Sequence, residues 1–465
     1  MLDSEEINKA LLKIVGSSQI SDSQSDLQKY GKDWINDYDP KPGLIIFPKT
    51  YLEIQKIMSF CNENLVQVVP SGGRTGLSGG ATATKGEVII SLERMNKILS
   101  VNHFEASLTC QAGTLTQTVQ EAALKENLYF PVDFASKGSS QIGGNIATNA
   151  GGIKVIRYGN IRDWVLGLKI VTAQGELIEL NGNLVKNQTG YDLRHLMIGS
   201  EGTLGIIVEA TLRLTSPPVN MTHVICGLNE PDDVLKLFTN SRRCFRGLST
   251  FEYFSRLALE IVLKKTALHE PLPEACKQYA LIEIEHEDPN FTNTIEEFFA
   301  HAIEQKTILN ATISQSSKQS TEFLNYREMI PEVLNSTFTL HKNDISLPIS
   351  KIAEFLKAIE SSVQSESPDF KFVIFGHIGD GNLHINILKP SSLETGKFYE
   401  RCKEIDKKIY ELVKLNKGSI SAEHGIGLLK KEFLHFSRSE TEVQIMRDIK
   451  KVLDPNCILN AGKIF

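Results

Sequence analysis

The sequence predicts a multidomain α+β protein, and three observations carry that reading: its length, the crowding of glycine into one stretch, and a change of character after a pair of prolines. At 465 residues, with 41% hydrophobic and 23% charged residues, the chain exceeds one ordinary core and is too apolar to be disordered. Two or three domains are expected. Residues 70 to 160 hold 13 of the 33 glycines, about twice the usual share of ~7%. Short apolar strands alternate with helices there, which places the glycines in connections of an α/β unit.

Taken in order, Thr50 with Glu53 three residues on forms a capping box that opens a helix through Asn64, and Val66 to Val69 reads as a buried strand. A glycine loop follows at once. Thr114 with Gln117 repeats the capping pattern and opens a helix carrying Val119, Ala122 and Ala123 toward a core. A strand from Val165 to Thr172, a Gln174-Gly175 turn and an apolar run from Leu204 to Leu214 complete the block. Pro217-Pro218 breaks ladders and rigidifies a connection, so a boundary is expected there. Beyond it glycine is sparse, and charged helical stretches alternate with β-branched runs such as Tyr279 to Ile284, which suits an α+β domain. The Ser/Gln-rich patch from Ser314 to Ser320 reads as a surface loop. The expected divisions are 1–218, 219–417 and 418–465.

Charge and cysteine usage narrow the function. Fifty Lys plus Arg against 56 Asp plus Glu leave a formal charge of −6, with no basic excess for a nucleic-acid backbone or an anionic membrane. Cys61, Cys110, Cys226, Cys244, Cys276, Cys402 and Cys457 form no zinc or iron–sulfur spacing and read as isolated thiols of a reducing compartment. The opening MLDSEEINKA lacks the basic and apolar regions of a signal peptide, and no run approaches the ~18 apolar residues of a membrane span. The expectation is a soluble enzyme, cytoplasmic or peripheral at the inner membrane face, assembled as a monomer or homodimer.

The loop Pro70-Ser71-Gly72-Gly73-Arg74-Thr75-Gly76-Leu77-Ser78-Gly79-Gly80 offers five glycines, three hydroxyls and one fixed cation. Glycines let backbone amides approach a ligand and adopt positive φ, so the loop can wrap a pyrophosphate in N–H donors. It matches neither the P-loop nor the Rossmann fingerprint. Alone, it reads also as a tight hairpin or lid. A second loop adds Pro131, Asp133 and Ser136, then Gly143, Gly144, Ala147, Thr148, Asn149 and Gly152. Two such walls suggest a dinucleotide.

With Ile198 to Ile207, where Glu201, Gly205 and Ile207 stand, these loops resemble the FAD-binding domain of the vanillyl-alcohol-oxidase (p-cresol-methylhydroxylase) type flavoproteins. The resemblance runs from about residue 40 to the final Asn460-Ala461-Gly462-Lys463. It implies an FAD-binding domain, an α+β substrate domain and a C-terminal segment completing the active site. The first loop and Asn460 would hold FAD, with the second loop along the isoalloxazine. Relatives that attach FAD covalently use a His where this chain has Arg74, so non-covalent FAD is expected.

The stretch FGHIGDGNLHINIL, Phe375 to Leu388, contains the hairpin turn Gly379-Asp380-Gly381-Asn382. That loop would set His377 opposite His384, Cβ atoms about 4.5–5.5 Å apart, with Asn386 on the same side. Two imidazoles so placed can chelate a divalent ion or form an ordinary hydrogen-bonded pair. Asp380 suits the turn better than a ligand role. Glu423-His424 in SISAEHGIG supplies an acid and a further imidazole ahead of a helix expected near Ile426. The sequence resembles the FAD-dependent D-2-hydroxyacid dehydrogenases, the D-2-hydroxyglutarate and D-lactate dehydrogenase group with the glycolate oxidase FAD subunit. That resemblance implies His377, His384 and Glu423 as ligands of zinc or a similar ion, and His424 as catalytic base.

By themselves Arg327 and Lys342 read as solvated charges. The resemblance makes them, with Asn386 and His424, binders of the substrate's carboxylates and hydroxyl. Pro331 stands where the family commonly has Thr or Ser, which opens the choice between D-2-hydroxyglutarate, D-lactate and glycolate. D-2-hydroxyglutarate is favoured, with electrons leaving for a quinone, a cytochrome or an electron-transfer flavoprotein. A non-redox transferase on the same scaffold and a silent FAD-binding subunit are the competing classes.

Overall fold

The structure is a computed structural model that describes residues 2–35 and 37–465. The chain divides into two compact units: Met1–Gly152, Gly159–Pro217 and Glu423–Phe465 form the first, Ile153–Tyr158 and Pro218–Ala422 the second. Among the described residues, no helix is long and apolar enough to cross a membrane. All seven cysteines are free thiols.

The first unit carries two sheets. Strands β1 (Ile20–Ser21), β2 (Leu44–Ile46), β3 (Val68–Ser71) and β4 (Val88–Ser91) form a four-stranded sheet in the order β1-β2-β4-β3, with β2, β4 and β3 parallel. Strands β5 (Ile98–Asn102), β6 (Ser107–Gln111), β7 (Val165–Val171), β8 (Leu177–Leu180) and β9 (Ile206–Arg213) form an antiparallel sheet in the order β5-β6-β9-β7-β8. The glycine-rich region therefore mixes a small parallel sheet with an antiparallel one and is not a purely alternating α/β unit. Parallel strands buried on both faces read as unbroken apolar runs, as Val88-Ile89-Ile90 does. Thr50 caps the helix Tyr51–Glu63 through the expected box, its side chain accepting from the Glu53 N–H. The second capping expectation needs correction. That helix runs Thr116–Lys125 with Leu115 at the cap and no side-chain bond there, because the Thr114 hydroxyl turns to the Lys97 carbonyl at 3.4 Å.

In the second unit, β10 (Asn220–Leu228), β11 (Leu248–Ser255), β12 (Gln278–His286), β13 (Asn310–Ile313), β14 (Leu340–Ser346), β15 (Lys371–Gly376) and β16 (Asn382–Leu388) form one antiparallel sheet, ordered β13-β10-β12-β11-β15-β16-β14. Directly paired antiparallel residues share a face. One face is apolar at one end, where Phe254, Tyr279, Leu281, Phe375 and Leu388 pack with helices Arg256–Lys265 and Ser317–Thr337. The Phe254 and Tyr279 rings stack there 5.4 Å apart, and truncating such a ring costs ~3–5 kcal/mol. The other end of that face is polar.

The Ser314–Ser320 patch is only partly a loop: Ser316 caps the helix Ser317–Thr337 by accepting the Gln319 N–H, so the hydroxyl-rich composition marked a helix start. Pro331 lies inside that helix and removes the N–H that would bond the Arg327 carbonyl. The buried stripe Phe323, Tyr326, Ile330, Val333 and Leu334 offsets the loss.

Residues 153–158 belong to the second unit through buried charge. Lys154 sits 2.9 Å from Glu283 and 3.8 Å from Glu285, while Arg157 and the Tyr158 hydroxyl each reach Glu285 at 2.7 Å.

Candidate functional site

The first unit contains a cleft at the end of β3. Its walls include Pro70, Ser71, Gly72, Gly73, Arg74, Thr75, Gly76 and Ser78 from the first loop, and Gly143, Gly144, Ala147 and Thr148 from the second. Glu201, Gly205, Ile207 and Asn460 line it as well. Gly79, Pro131, Asp133, Ser136, Asn149 and Gly152 are not among the lining residues. Gly79 donates its N–H to Asp33 at 2.9 Å, and Asn149 accepts from Arg162 at 3.3 Å. Asp133 pairs with Lys137 at 2.8 Å, and its carbonyl would lie 2.0 Å from a Cβ on Gly152.

The loops interlock through backbone. A Cβ on Gly73 would stand 2.2 Å from the Ser139 carbonyl, so only glycine brings the two walls together. Ser71 Oγ and Gln141 Oε1 are buried in the cleft wall with no protein partner. Orphaned polar atoms lining a glycine cradle fit a polar dinucleotide such as FAD. Arg74 lies 4.4 Å over the Tyr30 ring and donates to the Gly72 carbonyl at 3.2 Å, which fixes the cation in the loop.

Gln141 and Asn145 of the second loop also line the cleft, and so does Asp33, which was not anticipated. Asp33 lies outside both glycine loops, and only a carboxylate in a short non-helical stretch marks it. Burial raises its pKa against hydrogen bonds from Ile35, Thr82 and Gly79.

The C-terminal stretch folds onto the same loops. Asn460 Nδ2 donates to the Glu201 and Gly80 carbonyls at 2.6 and 3.1 Å, and Lys463 donates to Gly80 at 2.8 Å. Burial pulls the Lys463 pKa down to about 8. Glu423 accepts the Gly152 N–H at 3.2 Å. The helix expected near Ile426 is absent. Gly425 and Gly427 adopt φ of +80° and +50°, and Leu428 bonds back to the Ser78 carbonyl at 2.9 Å; a 3₁₀ turn follows at Lys431–Phe436.

The polar end of the sheet in the second unit holds His377, His384, Asn386 and Lys342. The expected hairpin register is one loop residue out. β15 sets Phe375, and not His377, opposite His384, so the loop is 378–381 and Asn382 bonds back to His377 at 3.2 Å. Gly381 takes φ of +91°, and a Cβ there would meet the Leu347 carbonyl at 2.2 Å, which fixes the turn on that glycine. Asp380 accepts the Asn382 N–H at 3.2 Å within the turn. The histidines are diagonal neighbours on one face, ring centroids 5.4 Å apart. Asn386 pairs across β14 with Lys342, and His384 with Asp344.

Each histidine has a carboxylate behind it. His377 Nδ1 bonds Glu252 at 2.7 Å, and His384 Nδ1 lies 3.5 Å from Asp344. Asp344 also accepts from Asn382 at 2.9 Å and from the Ala422 N–H at 3.1 Å. A carboxylate on Nδ1 leaves Nε2 as the ligating nitrogen, the arrangement found behind metal-binding imidazoles. Arg327 is buried, lies 4.6 Å over the Phe375 ring and is 2.8 Å from Glu252. Glu252 and Asp344 were not anticipated. A single acid inside the apolar run Phe251-Glu252-Tyr253-Phe254 was the available signal. Glu423 and His424 belong to the first unit.

A dinucleotide cleft of interlocked glycine loops beside a C-terminal lock defines a flavoprotein of this oxidase fold. Residues 42–181 match the "FAD binding domain" family and residues 217–464 the "FAD linked oxidases, C-terminal domain" family, and the chain belongs to the FAD-linked oxidases. It is 46% identical over 455 residues to D-2-hydroxyglutarate dehydrogenase of Stutzerimonas stutzeri, covering 98% of both chains. It is 47% identical to the enzyme of the same name from Xanthomonas citri pv. viticola, covering 98% of this chain and 96% of that one. The solved 4-ethylphenol oxidase from Gulosibacter chungangensis shares the fold, with a TM-score of 0.78 at 17% identity, covering 99% of this chain and 96% of the other.

Proposed function

We propose that the protein is an FAD- and divalent-metal-dependent dehydrogenase that oxidises a D-2-hydroxyacid, D-2-hydroxyglutarate before D-lactate or glycolate, to the 2-oxoacid. The observation that carries this reading is the carboxylate-backed pair His377 and His384 on one face with Asn386, Lys342 and the buried Arg327. Bound FAD supplies the hydride acceptor at N5, and an ion held by His377, His384 and Glu423, zinc or a similar one, supplies polarisation of the substrate hydroxyl. Arg327 offers a planar fork and Lys342 a point charge to the carboxylates. His424 takes the hydroxyl proton as the C2–H bond breaks, and Asn386 orients the acid. Electrons then pass to an external acceptor, a quinone, a cytochrome or an electron-transfer flavoprotein.

Anaerobic addition of D-2-hydroxyglutarate should bleach the flavin absorbance of the purified holoenzyme, and a kcat/KM panel of D- and L-hydroxyacids with a dye acceptor should rank it first. A flavin left oxidised by every D-2-hydroxyacid sinks the dehydrogenase reading. Activity indifferent to a chelator in protein lacking bound metal sinks the metal assignment.

A further inference from the structure

Glu252 is 1% exposed and lies on β11. Pairing of Tyr253 with Gly376 and of Phe254 with Phe375 sets Glu252 across from His377. Its two oxygens serve different partners. Oε1 takes the His377 Nδ1 at 2.7 Å, and Oε2 lies 2.8 Å from Arg327 Nε. The Phe375 ring that carries the Arg327 guanidinium at 4.6 Å also packs against His384, centroids 5.1 Å apart.

A carboxylate stripped of water is costly unless a cation and hydrogen bonds neutralise it, and Arg327 with His377 meets both needs. The bond to Nδ1 fixes the imidazole as the tautomer with its lone pair on Nε2. The ion contact at Nε, which lacks hydrogen-bond geometry, leaves the two terminal nitrogens of Arg327 as the fork for a substrate carboxylate. Stacking on Phe375 prevents the guanidinium plane from turning.

We propose that Glu252 is a positioning residue shared by the ion site and the acid site, so that affinity for the metal and affinity for the substrate acid depend on one side chain. This rests on the dehydrogenase reading above. A mere counterion for Arg327 would affect the acid and leave the ion alone.

The test is Glu252→Gln in the full-length holoenzyme, with folding checked by circular dichroism and FAD stoichiometry. Zinc affinity is measured by competition with a chromophoric chelator, and KM and kcat for D-2-hydroxyglutarate are measured at saturating zinc. Zinc affinity should fall by roughly 10- to 100-fold, as for other carboxylates behind metal-binding histidines. KM should rise about tenfold while FAD content stays at the wild-type level. A folded variant whose zinc affinity lies within about threefold of wild type, or whose KM is unchanged, overturns the proposal. Should the glutamine variant fail to fold, Glu252→Asp carries the same test. The charge is retained with its reach shortened by one methylene, and about a tenfold loss of zinc affinity is expected, unchanged affinity being the overturning result. Wild-type protein that binds no zinc overturns the metal reading itself, a result distinct from wild-type binding with unaffected variants.

Discussion

Glu201 Oε2 accepts the backbone N–H of Gly427 at 2.8 Å, and Oε1 takes that of Ile426 at 2.7 Å. One buried carboxylate in the wall of the dinucleotide cleft thus holds the turn that follows His424. Burial raises its pKa and the two backbone bonds oppose the rise. Glu201→Gln replaces one acceptor with a donor facing an N–H, which costs about 1–3 kcal/mol. FAD content, read from the flavin-to-protein absorbance ratio, and turnover should fall together.

His424→Gln should behave differently. It removes the proton acceptor and leaves the cleft walls intact, so kcat should drop by roughly 10²- to 10⁴-fold at wild-type FAD content. Loss of flavin in step with activity would assign His424 to folding of the C-terminal turn.

Lys154→Met tests the buried charge that ties residues 153–158 into the second unit. Burial pushes the Glu283 carboxyl up, but His223, Lys154 and Ser249 outweigh it and bring the pKa to about 2, against an ordinary 4.5. The pairing therefore stabilises the folded state fully above about pH 4.5, and that contribution is lost as pH falls toward 2. Breaking a buried pair costs about 3–5 kcal/mol. The variant should have a lower denaturation midpoint at pH 7 and a flatter decline between pH 4.5 and 2.

Pro331→Thr returns an N–H and a hydroxyl one helical turn beyond Arg327. Helix stability should rise, since the Arg327 carbonyl regains its donor. If the distal carboxylate binds at this turn, KM for D-2-hydroxyglutarate should fall severalfold while KM for D-lactate, which has no second carboxylate, stays constant.

Local chemistry was legible where a few neighbouring residues decide the outcome. Thr50 with Glu53 specified a helix start, and the glycine loops specified most of the cleft wall. Thr114 misled because its hydroxyl had a tertiary partner, the Lys97 carbonyl, that no local pattern reveals. The hairpin loop slipped by one residue and the pairing by two, from His377 to Phe375 opposite His384, because both Gly379 and Gly381 suit a turn and the approach of the Leu347 carbonyl at Gly381 is not legible in the sequence. Glu252 and Asp344 stayed hidden because each lies far along the chain from the histidine it backs, 125 residues in the first case. Strand order, and not spacing, makes them neighbours.

The short passage at 153–158 bears on how such a protein can be inherited. A gene fragment encoding only residues 218–422 would yield a sheet that buries Glu283 and Glu285 without Lys154 or Arg157. The second unit is thus not a portable cassette. Recombination that exchanged it at its outer boundaries alone would deprive Glu285 of Arg157 and Tyr158 and leave Glu283 with His223 and Ser249 but without Lys154, so exchange should succeed best when the six residues travel with it.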